Sequence, residues 1–243
     1  MKDKYIKIKC GKLYDGISPC FQRDMEILVE GKNISAVGHN LECPKETEII
    51  DLSDKTVTPG MIDAHMHTQY FHWKDVYRDT LYNSDGYRTL AVATCAKRCL
   101  QSGFTTVRSL GWWSEAYELD VKRAIEEGYV EGARLVVSSH FLCTPGSHGD
   151  MTQVVRTNPY LSDYLIGKYP TCGNGADFFV GAVRRERKMG ADFLKIMATG
   201  GFATPNDDPD DIQLNDDEFK AIFDTAKDCL LYTSPSPRDM RRS

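Results

Sequence analysis

The sequence predicts an α/β protein: the N-terminal half of a (β/α)8 barrel of the TIM type, preceded by part of a small β-sandwich domain. Three observations predict it. Residues 4 to 57 read as short strands separated by turns, the chain beyond Pro59 changes to a strand-then-helix rhythm, and four such units follow one another. A complete barrel takes about 250 residues, and only about 170 lie between Pro59 and residue 228, so half a barrel is the expectation.

The N-terminal portion, residues 1–57, contains the runs YIKIKCGKLYDG, MEILVEGKNISAVG and TEIIDLSDKTVTPG, punctuated by Gly16, Gly31 and Gly38. Residues 58–228 supply the barrel units: GMIDAHM, a helix over 86–102, TTVRSL, a helix over 115–127, ARLVVSS, a helix over 176–189, DFLKIMA and a helix over 216–227. The first helix presents Leu90, Ala93, Ala96 and Leu100 on one face, with Gly103 as its stop. Ser114 precedes a first turn containing Glu115, and Asn215 with Glu218 three residues on has the pattern of a capping box.

Composition narrows the function classes. With 41% hydrophobic residues and a net charge of -5, the chain is that of a globular protein with no general attraction to nucleic acid or anionic lipid. Small-molecule chemistry is the default. The N-terminus has no continuous apolar stretch and no segment reaches membrane-span length, so the expected location is the cytoplasm. The eight cysteines have no CxxC spacing, which predicts reduced, mostly buried thiols rather than a zinc knuckle or disulfide framework. Nothing in the composition specifies an oligomeric state.

Chemistry concentrates in two strands. In GMIDAHMHT, the residues Met61, Asp63, His65 and His67 share one face of an extended strand, and Ile62, Ala64 and Met66 share the other. The same alternation in DFLKIMA sets Phe193, Lys195 and Met197 against Leu194 and Ile196. A lysine among apolar residues in a core strand is costly as an ammonium unless it is paired, neutralised or altered. Carboxylation by CO2 is one such alteration, turning the cation into a bidentate oxygen ligand able to bridge two metals.

GMIDAHMH, GFTTVRSLG, SHGD and GADFLKIMATGGFATPNDDP together resemble the amidohydrolase superfamily, specifically its Xaa-Pro dipeptidase-like branch, related to prolidase and imidazolonepropionase. The resemblance covers residues 4 to about 228. It implies that His65 and His67 ligate the first of two divalent metal ions, zinc being the expected species, and that Lys195 is the carboxylated, bridging lysine of the catalytic centre. It also implies hydrolysis of the amide bond of a dipeptide or similar small molecule by a metal-bound hydroxide. Two further histidines and an Asp on later strands belong to the same pattern and do not occur here. Ser109 stands where relatives commonly carry Asp. Imidazolonepropionase-like hydrolysis of a cyclic amide, and an inactive fragment, are the competing readings; Lys195 within KIMATGG favours the dipeptidase.

Other polar residues are weighed by position. His148, in the loop after the third barrel strand, and His140, at that strand's end, are candidate substrate contacts, because such barrels build their sites at the C-terminal ends of the strands. His39 is expected at the surface, His72 in a packed position, Trp112 and Trp113 at the core or the pocket wall, and Arg108 as an ion-pair donor. Residues 229–243, CLLYTSPSPRDMRRS, are expected to break the rhythm with their two Ser-Pro pairs and to be a sequencing-adapter artefact, since CLLYTSPSPRD matches the in-frame translation of a transposase-type adapter.

Overall fold

A computed structural model describes residues 4–70, 82–112, 116–150, 152, 155, 157–168, 170–202, 208–229 and 231–233. Two units divide the chain at Gly60. In the first, β1 (Tyr5–Leu13), β2 (Gln22–Glu30), β3 (Asn33–Gly38) and β4 (Glu48–Val57) form one sheet in the order β3-β2-β1-β4. β1 runs antiparallel to β2 and parallel to β4. The alternation of the strands gathers Cys10, Leu13, Met25 and Ile27 on one buried face.

The second unit carries the strand-helix rhythm. Its elements are β5 (Met61–Met66), α1 (Asp85–Gln101), β6 (Phe104–Ser109), α2 (Tyr117–Glu126), β7 (Arg134–Val137), β8 (Phe141–Leu142), α3 (Pro159–Lys168), α4 (Ala176–Met189), β9 (Phe193–Ile196), α5 (Asp216–Asp228) and β10 (Tyr232–Thr233). The strands are all parallel, in two ladders of order β5-β6-β7 and β8-β9-β10. β7 and β8 are two pieces of one barrel strand, interrupted where the Ser138 hydroxyl turns to the His140 carbonyl at 2.9 Å. The ladders join at Asp192, whose N–H donates to the Val137 carbonyl at 2.8 Å. This is an open, partial TIM-type barrel.

Helices cover one face of this sheet. Leu194 packs with Phe179, Ala182 and Val183 of α4 and Ile222 and Ala226 of α5, while Val107, Leu135 and Val137 pack with Val92 and Ala96 of α1 and Val121 of α2. The face of α1 differs from the expected one. It buries Arg88, Val92, Cys95 and Ala96, leaving Leu90 69% exposed. Ala96 lies on both the expected and the observed face, and its carbonyl accepts the Ala133 N–H at 3.0 Å.

Three other elements depart from expectation. α3 was not anticipated; Asn158 accepts from the Leu161 N–H at 3.1 Å with Pro159 in the first turn, a start signal present in the sequence. Leu231 is buried, and Tyr232 and Thr233 pair with Phe193 and Leu194, so the rhythm expected to break after residue 228 continues through these residues. The eight cysteines are free thiols, but Cys10, Cys95 and Cys143 alone are buried and Cys20 is exposed. Ser114 and Glu115 lie outside the described residues. The α5 capping box is present, with Asn215 accepting from the Glu218 N–H at 2.9 Å and the Glu218 carboxylate accepting from the Asn215 N–H at 3.0 Å. Asn215→Ala is expected to lower the stability of the unit by about 1 kcal/mol, read from chemical denaturation.

Candidate active site

β5 and the residue after it deliver the two histidines. Met66 packs into the helix-side cluster, which leaves His65 and His67 to the opposite face, their ring centroids 6.0 Å apart. The Asp63 carboxylate accepts the His65 N–H at 3.0 Å. His67 Nδ1 lies 3.1 Å from the Gly111 carbonyl. A carbonyl only accepts, so Nδ1 carries the proton and Nε2 keeps its lone pair. Burial lowers the His67 pKa to about 4, with the Gly111 bond opposing it and the charges of Lys195 and His65 adding to it. His65 is lowered as well, first by burial, then by the charges of Lys195 and Arg108. Both rings are therefore neutral near pH 7, the form that ligates metals.

β9 delivers Lys195. Leu194 and Ile196 face the helices, Lys195 takes the other side, and its N–H donates to the Ser138 hydroxyl at 3.0 Å. Burial, then the Arg108 charge, holds its ammonium below the ordinary lysine range. Arg108 stacks over the Phe193 ring at 4.1 Å. Among the described residues no three His, Cys, Asp or Glu side chains converge as a metal cluster. The Lys195 charge acts on the rings of both His65 and His67.

A buried carboxylate that sequence reading passed over stands behind the histidines. Glu118 of α2 is fully buried and accepts from Gln69 Nε2 at 2.5 Å and from the hydroxyls of Thr68 and Ser109, each at 3.3 Å. It anchors the turn directly after His67, and Ser109 takes part through its hydroxyl. The available signal was a glutamate three residues before Val121 on the buried face of α2. Burial raises the Glu118 pKa to about 7.

The remaining candidates separate. His140 is 3% exposed, and its Nδ1 at 2.8 Å and backbone N–H at 2.9 Å both engage Glu186 of α4, which turns the ring toward that helix. His148 is half-buried, with its N–H on the Gln213 side-chain oxygen at 3.0 Å. Its ring lies against Gly201 in the segment after β9: a Cβ at that position would stand 2.4 Å from His148 Nδ1. Trp112 is fully buried in a cluster with Phe141, Cys143 and Leu165. His39 is exposed, as expected, while His72 and Trp113 lie outside the described residues.

The family model for the amidohydrolase family matches residues 56–233. The chain belongs to that family. Ochratoxinase of Aspergillus niger is 28% identical over 219 residues, covering 84% of this chain and 44% of that protein. A dihydroorotase of Streptococcus pyogenes is 34% identical over 92 residues, 36% of this chain and 21% of that one. Among solved structures, a Xaa-Pro dipeptidase with methionine bound in its active site superposes with a TM-score of 0.81 at 28% identity, over 98% of this chain and 59% of that one. A prolidase complexed with N-methylphosphonate-L-proline gives 0.79 at 26% identity, over 95% and 55%. The amidohydrolase chain thus spans about half the length of the relatives it matches. No helix among its described residues is long and apolar enough to cross a membrane.

The Glu118 shift has a pH consequence. A carboxyl whose folded pKa is raised from 4.5 to about 7 contributes stability below the unfolded value that is lost as pH rises through the folded one. Glu118→Gln is expected to remove that dependence, so the stability difference between wild type and variant changes by up to about 3 kcal/mol between pH 4.5 and 7. Denaturant midpoints across this range check it.

Proposed function

We propose that the protein carrying this chain is a metal-dependent hydrolase of amide bonds in small peptides, of the Xaa-Pro dipeptidase type, acting in the cytoplasm. The observation that carries the reading is the presentation of two neutral imidazoles, His65 and His67, on the face shared with a partly desolvated lysine, Lys195. The names of the relatives agree with it: two of the matched structures are a Xaa-Pro dipeptidase and a prolidase with a proline phosphonate.

The donor set suits divalent zinc, which prefers imidazole nitrogen and carboxylate-like oxygen. His65 and His67 would hold the first ion, and a carboxylated Lys195 would bridge to the second. Ions held there supply water activation at neutral pH and polarisation of the scissile carbonyl.

The chain's own residues prepare for this. Gly111 fixes the His67 tautomer by accepting its Nδ1 proton. Carbamate formation needs the unprotonated amine, and the lowered Lys195 pKa enlarges that fraction. Arg108, resting on Phe193, both disfavours the ammonium and would favour the carbamate anion in its place. Placement of a lysine on this face sets the reading apart from a single-metal cyclic amide hydrolase. His148 is the substrate contact we assign, since it lies beside the segment following Lys195. His140, tied to α4 by Glu186, is assigned a supporting role instead of the substrate contact first considered for it.

His65→Ala or His67→Ala in the full protein is expected to lose bound metal and at least about 100-fold in kcat/KM, as each removes a ligand that water replaces poorly. Elemental analysis together with hydrolysis of a panel of Xaa-Pro dipeptides checks this; two metals per chain in either variant would refute the assignment. Lys195→Arg should fail equally, because a guanidinium cannot become a carbamate. Gly201→Ala should displace His148 and raise KM while leaving metal content unchanged.

A further inference from the structure

Cys143 and Cys172 face each other at the end of the third barrel strand, outside the constellation described above. They form a parallel bridge pair, fixed on both sides: the Cys143 N–H donates to the Thr171 carbonyl at 3.1 Å, and the Gly173 N–H to the Cys143 carbonyl at 3.1 Å. The Thr171 hydroxyl adds a bond to the Phe141 carbonyl at 2.8 Å. Adjacent strands lie ~4.8 Å apart, inside the roughly 4.4 to 6.8 Å between Cα atoms that a disulfide spans. Cys95 and Cys99 also neighbour each other, but they sit one turn apart on α1, where Cβ atoms are about 5 to 6 Å apart and a disulfide wants about 3.5 to 4.5 Å.

We propose that Cys143 and Cys172 are a dithiol site that a peroxide converts into an intramolecular disulfide, clamping the end of β8 to residues 171–173. Cys172, half-buried, meets the oxidant first. Its thiolate attacks one peroxide oxygen, the O–O bond breaks, and a sulfenic acid and one water result once the leaving hydroxide takes a proton. The Cys143 thiolate then attacks that sulfur, the S–O bond breaks, and a second water leaves. Each sulfur loses one electron and the peroxide gains two.

The side chains already interact: a hydrogen bond with Cys172, then burial, pushes the Cys143 thiol well up. The second step is therefore slow at neutral pH and accelerates as pH rises, because only the thiolate attacks. The clamp also touches the loop that carries His148. A Cβ at Gly149 would stand 2.7 Å from Cys143 Cβ and 3.0 Å from its Sγ, so the loop rests directly on this thiol, and drawing the sulfur toward Cys172 removes that support.

The test uses the folded 243-residue chain, hydrogen peroxide and peptide mapping after alkylation in denaturant without reductant. Expected is a Cys143–Cys172 linked peptide, lighter by two hydrogens than its parts, forming faster at higher pH and in preference to a Cys95–Cys99 bond. In Cys143→Ser, the Cys172 sulfenic acid should persist and be trapped by a 1,3-diketone; in Cys172→Ser, Cys143 should remain a thiol. Should either variant fail to fold, the wild-type map decides alone. Recovery of Cys143 as an alkylatable thiol while Cys172 advances to the sulfinic acid would overturn the proposal, as would a linked peptide that appears only when the chain is oxidised in denaturant. Neither outcome depends on metal or on hydrolytic activity.

Discussion

Asp192 ties the two ladders of the barrel sheet together, and the candidate site draws its residues from both sides of that tie. Its backbone N–H reaches the Val137 carbonyl at 2.8 Å, while its carboxylate accepts the Val137 N–H at 2.7 Å and the Lys122 ammonium at 2.6 Å. Hydrogen bonds to a charged acceptor contribute about 1.5 to 3 kcal/mol, more than a backbone ladder rung. His65 and His67 ride on the β5-β6-β7 ladder. Lys195 rides on the other, three residues beyond the joint. Asp192 and the Lys195 N–H on the Ser138 hydroxyl both tie β9 to the end of β7, and the Lys195 charge reaches both imidazoles.

The sheet then separates structural from chemical work by face. Helices seal one side with apolar contacts around Leu194, Phe179 and Val107. The two buried carboxylates on that side are paired, Glu186 with both nitrogens that His140 offers it and Glu118 with Gln69, Thr68 and Ser109. On the other side desolvation is turned to use, since it discharges His67 and weakens the Lys195 ammonium instead of being offset by counter-charges. Asp63, which works against this at His65, acts through a longer-range charge and is outweighed.

Much of this was legible in the sequence because it is periodic. The two-residue alternation placed His65, His67 and Lys195 on one face, and local hydrogen bonding wrote the Asn215 capping box. What escaped depends on tertiary contact. The buried face of α1 was misread in part: Ala96 is buried as expected, but Val92 and Cys95 lie beside it and Leu90 is exposed. The break at residues 138–140 follows from Ser138 serving β9, and the roles of Glu118 and Glu186 follow from partners 50 and 46 residues distant. α3 was the exception: Asn158 and Pro159 announced it locally.

A line of rings runs from the candidate site into the core. His67 meets Tyr70 edge-on at 5.3 Å, and Tyr70 meets the buried Trp112 edge-on at 4.5 Å. Charge or a ligand arriving at the imidazole therefore alters the electrostatic surroundings of an indole that solvent does not reach. Trp112 is a built-in optical probe of His67, able to register occupancy of the site by emission, in the absence of any substrate or turnover.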